Sequence, residues 1–419
     1  MQFYLVGIKG TGMSALANIL SDLGHEVIGV DYNKKYFTQA TFRNNIVCET
    51  FENYRLKKDC FYIIGNAFKL SNITKKIIKN KYKFQYYSDF LESFFKMKKI
   101  GISGSHGKTT TTCFTSSLIG ENLNVLIGDG TGIGVKDAQY FLFEACEYQN
   151  NFLKYSYDYL VILNIDYDHP DFFKNEQDYF SSFQKAALNS KYLICNFDDN
   201  YCKRIVHSNK FTFGFDKDSD LVIMYENNQI ILSICDEKYV VDFPFSGKHL
   251  CYDFAAAFLV SFLVEGNAQN VLKRITKLHL PRRRLSEYKF KNSVLVNDYA
   301  HHPTEIKAVY DSLNLKYPNK KIIAVYQPHT FSRTSTFLSA YVDALNLFDE
   351  VYVMSIFSSV REEEKEKWLL LESDLKFIQY DRSLIVKLLE EDDFVLVFMG
   401  AGDIDKEFEF FIEENAKIV

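Results

Sequence analysis

A lysine stands in the stretch GISGSHGKTTTT, residues 101–112, directly after a glycine and before a run of threonines. That order suits a loop that wraps phosphate. Successive backbone amides from Gly104, Ser105, His106 and Gly107 can ring an anion. Lys108 can then reach the terminal phosphates of ATP, and the Thr109 hydroxyl can hold Mg2+, with Thr110 in the same turn. The strict spelling G-x-x-x-x-G-K-[ST] asks for glycine where this chain has Ile102, so the loop is written in a tighter form, G-x-x-G-K-T, starting at Gly104.

Two further groups end apolar runs downstream of this loop: Glu144 in YFLFEACEY and His169 in YLVILNIDYDHPDFF. A carboxylate and an imidazole beside a threonine-held Mg2+ suit metal binding during phosphoryl transfer. The triple arginine of PRRRL, residues 281–285, adds a fork of N–H donors that a neighbouring domain can aim at phosphates. Nearer the start, Gly7, Gly10 and Gly12 spell G-x-x-G-x-G, with Lys9 where a dinucleotide fold would carry its second glycine. Helix-start amides there can hold a diphosphate, with Asp31 at the end of the next strand facing a ribose or base; a purely structural tight turn is the competing reading.

Such residues need strand tips to position them. QFYLV, GIKGTG, MSALANILSDLGH and EVIGVD read as strand, turn, helix and strand, the first half of a parallel α/β sheet. A second strand–loop–helix unit begins at KKIGISGSHGK; since ligands bind beyond the carboxyl ends of parallel strands, Glu144 and His169 are expected beside the loop. The alternating stretch LVIMYENNQIILSICDEKYVVDFPF reads as an antiparallel excursion, after which CYDFAAAFLVSFLVEG returns to helix. A third α/β unit runs through SVLVNDYAHHPTEIKAVYDSL, KKIIAVYQPHTFSRTSTFLSAYVDAL, EVYVMSIFSS and DFVLVFMGAGD. The expected fold is therefore α/β in three domains: a Rossmann-like domain over 1–97, a central P-loop ATPase-type domain with the antiparallel excursion over 98–292, and a second Rossmann-like domain over 293–419.

Composition narrows the function classes. The chain has 419 residues, 47% of them apolar and 25% charged, with a formal charge of −5, so it lacks the basic excess that nucleic-acid binding requires. Neither a signal peptide nor an apolar run near the roughly 18 residues of a membrane helix is evident, which points to a cytosolic protein that meets neither membrane nor nucleic acid. The eight cysteines form no C-x-x-C pair, and Cys113, Cys146 and Cys251 sit within apolar or motif stretches. They read as small buried side chains in a reducing compartment.

Taken in order, GIKGTGMSALA, GSHGKTTTT, LIGDGTGIG, FEACEYQNNFL, NIDYDHPDFF, NDYAHHPTEI, YQPHTFSRT, REE and FMGAGDI resemble the bacterial Mur ligase family across all three domains, in particular its alanine-adding branch. The family writes its phosphate loop G-T-x-G-K-T-T, which accounts for the short spelling. The resemblance implies an ATP- and Mg2+-dependent ligase of peptidoglycan synthesis, in which the carboxylate of UDP-N-acetylmuramate is phosphorylated and the acyl phosphate is attacked by L-alanine. It implies that Lys108 holds the transferring phosphate, Thr109 and Glu144 the first Mg2+ and His169 the second. Arg284 would contact the ATP phosphates, Asp298 the ATP ribose, and His329 and Arg333 the incoming amino acid. The UDP-sugar would lie on Gly10, Thr11, Gly12, Met13 and Asp31. The quaternary state is expected to be a monomer or homodimer. Leu250 and Asp253 stand where the family's adenine-contacting stretch has asparagines, and a carboxylate cannot donate the hydrogen bonds of an amide. A murein-peptide ligase, a non-catalytic binding module and, from the first glycine turn alone, an NAD oxidoreductase are the alternatives.

Overall fold

The computed structural model describes residues 1–33, 36–226, 229–357 and 377–416. The REE motif at 361–363 and the end of EVYVMSIFSS fall outside them.

The first sheet has five parallel strands in the spatial order Val47–Thr50, Glu26–Asp31, Gln2–Val6, Phe61–Ile64 and Phe84–Tyr86. Chain order reverses between Gln2–Val6 and Phe61–Ile64, which opens a crevice at their carboxyl ends. The glycine turn leaves that crevice and enters the helix Thr11–Asp22, which ends at a turn through Gly24.

The second sheet has a parallel centre in which Lys98–Ser103 lies between Tyr140–Glu144 and Tyr157–Ile162. Both expected strand tips therefore flank the loop that follows Ser103. The excursion forms Leu221–Glu226, Gln229–Ile234 and Glu237–Asp242, joined antiparallel at one edge. At the other edge the short strand Gly132–Ile133 pairs antiparallel with Leu123–Leu126.

The third sheet runs Ser286–Phe290, Ser293–Asp298, Phe394–Met399, Lys321–Tyr326, Glu350–Val353 and Phe377–Gln379, parallel except for its first strand. Ser286–Phe290 pairs antiparallel with Ser293–Asp298, so this sheet begins ahead of residue 292. The sequence hides that strand because it is an exposed edge, with only its first and last residues partly covered.

The hydrophobic cores do not follow the sheets one for one. One face of the central sheet shares a core with the first unit: Phe95 stacks on Phe141 at 3.9 Å between ring centres, and Phe3, Leu16, Phe143 and Phe183 belong to the same cluster. The other face packs on the helix Lys248–Glu265, and the third unit has cores of its own on both sides of its sheet. Of the cysteines, Cys60, Cys113, Cys195, Cys202 and Cys251 are buried as expected, whereas Cys146 and Cys235 are exposed. Among the described residues no helix is long and apolar enough to cross a membrane.

Candidate active site

The loop after Ser103 passes through Gly104 at φ +137° and Gly107 at φ +83°, conformations that L side chains rarely adopt, and runs straight into the helix Lys108–Ile119. A Cβ on Gly107 would also collide with the Asp253 carboxylate. The amides of the loop divide differently from the sequence expectation. Ser105 N–H donates to the Asn164 carbonyl at 3.2 Å and His106 N–H to Asn164 Oδ1 at 2.9 Å, so these two are turned onto the neighbouring strand end. The helix-start amides of Lys108, Thr109 and Thr110 have no acceptor within the helix, which makes the cradle a helix N-terminus rather than a full ring. The Thr110 side chain is itself buried. Ser105 contributes through its hydroxyl, which donates to the Asp166 carbonyl at 2.7 Å and accepts from the Asp166 N–H at 2.9 Å.

Lys108 Nζ donates to the Gly104 and Ser105 carbonyls and pairs with Glu147 at 3.0 Å. Burial would lower its pKa, yet the Glu147 charge holds it above the ordinary lysine value. Glu147 is 1% exposed and also lies 3.3 Å from His169 Nε2. Sequence reading passed over this residue although it follows Glu144 in the same motif, because nothing in EACEY distinguishes a bridging carboxylate from a capping one. Glu144 accepts from Gly128 N–H and from the Thr109 hydroxyl; burial raises its pKa against these bonds and the nearby Lys108 charge. Thr109 and Glu144 thus come together as expected. His169, at φ +57° and packed on the Tyr148 ring at 4.6 Å, joins them through Glu147 and Lys108. Thr109 Oγ1 and the Glu144 carboxylate are hard oxygen donors, a set that fits Mg2+.

Across the cleft, Arg284 lies over the Tyr299 ring, 3.9 Å from Glu305, and the Glu305, Asp298 and Glu144 charges hold its pKa up against burial. Asp298 uses one oxygen to accept from Leu285 N–H and the other from Ala300 N–H, each at 2.8 Å, so the carboxylate expected at a ribose fastens its own turn. Arg333 is 5% exposed, and its Nε and Nη2 both donate to Asp168, at 2.8 and 3.0 Å. The fork expected to be open to an amino-acid carboxylate is therefore held by a protein carboxylate. Asp168 stays well below the usual carboxylate range despite burial, under the His169 and Arg333 charges. His329 Nδ1 lies 3.5 Å from Arg333 Nη1.

His106 points away from the phosphate cradle. Its Nε2 is 3.1 Å from Asp166 and its Nδ1 3.3 Å from Glu305. Burial opposes its charge, but these two carboxylates raise its pKa to about 9. Asp253 is buried under the loop, accepts from the Thr111 hydroxyl at 3.0 Å, and is pushed up to about 7 by burial. Leu250 is core.

In the first unit, Gly10 caps the helix Thr11–Asp22 and the amides of Thr11, Gly12 and Met13 open its first turn, while the Met13 side chain is buried in the shared core. Asp31 accepts from Lys9 N–H and Tyr32 N–H, each at 2.8 Å, and is 4% exposed. In this way it braces the glycine turn.

Three family models match this arrangement in order: the Mur ligase family catalytic domain over residues 2–99, the Mur ligase middle domain over 102–261, and the Mur ligase glutamate ligase domain over 283–402. The chain belongs to the Mur ligase family, whose members are ATP-dependent amide ligases. Its fold is similar to that of a UDP-N-acetylmuramate-alanine ligase from Thermotoga maritima, with a TM-score of 0.80 and 20% identity over 100% of both chains. It is also similar to a murein peptide ligase from Psychrobacter arcticus, with a TM-score of 0.71 and 18% identity over 100% of this chain and 99% of that one. A pseudomurein peptide ligase type C from Methanothermus fervidus matches with a TM-score of 0.67 and 17% identity over 99% of each chain.

Proposed function

We propose that this protein joins L-alanine to the carboxylate of UDP-N-acetylmuramate in the cytosol, using ATP, as a step of peptidoglycan synthesis. The observation that carries this reading is the convergence of Lys108, Thr109, Glu144, Glu147 and His169 at the start of one helix, with Arg284 facing them from the third unit's side. The muramic carboxylate oxygen attacks the γ-phosphorus, ADP leaves, and the alanine amine then displaces phosphate from the acyl carbon with loss of a proton. Lys108 and Arg284 stabilise the charge that develops on the transferring group. Thr109 and Glu144 would hold one Mg2+, and His169 with Glu147 a second, which would supply positive charge to the phosphate oxygens. UDP-N-acetylmuramate rests its diphosphate on the amides of Gly10–Met13. Neither NAD nor nucleic acid is a ligand, and the active form is a monomer or homodimer. We place the unit junctions near residue 97 and just ahead of Ser286.

The occupied Arg333 fork favours a second acceptor class. A peptide carries its carboxylate far from the reacting amine and does not need that guanidinium, so a preformed peptide is the alternative substrate. Phosphate release from ATP is measured with UDP-N-acetylmuramate and, separately, each amino acid and a stem tripeptide. Alanine-dependent release, reduced about 100-fold or more in Lys108→Ala, supports the proposal. Tripeptide-dependent release alone replaces it with the peptide reading, and no release with any acceptor removes the ligase assignment.

A further inference from the structure

On the side of the phosphate loop turned away from Lys108, His106, Asp166 and His302 bring three metal-binding atoms within 4.8 Å of one another. Two come from the central unit, at the phosphate loop and beyond the end of Tyr157–Ile162; the third caps the helix Pro303–Lys316 of the third unit. Asp166 Oδ2 is the hub, 3.1 Å from His106 Nε2 and 3.6 Å from His302 Nδ1. Donors around a tetrahedral ion with bonds of about 2.0 Å stand about 3.3 Å apart, so the two separations from Asp166 match edges of such a polyhedron, and the third, within 4.8 Å, closes with a small movement of the imidazoles.

The surroundings support the same reading. His106 presents its other nitrogen, Nδ1, to Glu305 at 3.3 Å, the carboxylate contact that orients a metal-binding imidazole. His302 is 4% exposed. Its Nδ1, the nitrogen facing Asp166, accepts from Thr304 N–H at a long 3.4 Å that a metal bond would replace, and its Nε2 is buried with no hydrogen-bond partner. The Asp166 side chain is 38% exposed, which leaves a side open for a water as fourth ligand. Two imidazoles and a carboxylate select Zn2+ or a similar transition ion over Mg2+.

We propose that His106, Asp166 and His302 form a site for Zn2+ or a chemically similar divalent transition ion, which ties the third unit to the phosphate loop and is separate from the Mg2+ positions at Thr109, Glu144 and His169.

The test titrates chelator-treated full-length protein with Co2+ in excess Mg2+. The expected result is one Co2+ per chain with the strong visible absorption of a tetrahedral ion, displaced by Zn2+. His302→Asn retains a helix-capping side chain and Asp166→Asn retains the hydrogen-bond acceptor, and each abolishes the absorption. Glu305→Gln weakens binding about 10- to 100-fold. Glu144→Gln, which alters the Mg2+ donors, leaves the absorption unchanged. Absence of a tetrahedral signal in the unaltered protein overturns the proposal. So does a signal that survives His302→Asn, or one that disappears in Glu144→Gln. Zinc-edge X-ray absorption on the unaltered protein counts imidazole ligands without any substitution: two support the site, and fewer overturn it even where a variant fails to fold.

Discussion

Asp253 stands where the resemblance to the family leads one to expect an asparagine, and its surroundings give that difference an energetic meaning. A carboxyl buried against a glycine of the phosphate loop, with one hydroxyl donor, is costly to ionise, which is why it titrates near 7. Stability is greatest below the ordinary carboxylate pKa and is lost as pH rises towards 7, because the unfolded chain ionises first. Asp253→Asn should therefore stabilise the protein at pH 7 and above, with the gain disappearing towards pH 4; urea midpoints across that range check it. The same substitution removes a negative charge from under the phosphates, so ATP affinity should rise, as read by titration of the nucleotide. Lower ATP affinity in this variant would mean that the carboxylate itself contacts the nucleotide. The loop around it was legible because its chemistry is local: glycines, lysine and threonine stand within one turn. The bond between Arg333 and Asp168 was not, because the partners lie 165 positions apart. A free arginine fork and one already filled have the same spelling.

At the scale of elements, the strip between Gly128 and Gly134 is set by close approach. Gly130 O accepts from the Thr41 hydroxyl at 3.0 Å and from Asn18 Nδ2 at 3.3 Å, Gly132 O accepts from Arg43, and a Cβ on Gly132 would collide with the Ala15 carbonyl in the first helix. Gly132→Ala should force strand and helix apart and destabilise the protein by about 1–3 kcal/mol, the usual effect of overpacking; thermal melts read it. A neutral result would show that the edge strand gives way without loss. Strand order in the sheets was legible from apolar runs with polar tips. The strand Ser286–Phe290 was missed because an exposed edge carries no buried periodicity. Asp31 could not be assigned in advance, since a carboxylate at the end of a second strand has the same sequence signature whether it binds a ribose or braces the preceding turn.

For the whole molecule, the central and third units meet through charge. His106 lies between Asp166 and Glu305, the Thr304 hydroxyl donates to Asp166 at 2.6 Å, and Arg333 reaches Asp168. The His106 value is raised from 6.5 to about 9, so its contribution is complete below pH 6.5 and is lost as pH rises through 9. With chelator present, the stability gap between the unaltered protein and His106→Asn should narrow between pH 7 and about 9.5, and a constant gap would assign His106 a packing role alone. The first and central units meet through Phe95 on Phe141 and the cluster around them, whereas among the described residues the apolar contacts to the third unit are smaller, Tyr167 edge-on to Phe337 at 6.0 Å and Leu285 packed against both cores. Three sheets therefore amount to two cooperative bodies. A calorimetric trace should resolve two transitions, the larger from the first two units melting as one. A fragment ending at residue 97 would carry Phe95 into water and aggregate, whereas cleavage near residues 280–285 should release pieces that each keep their own interior.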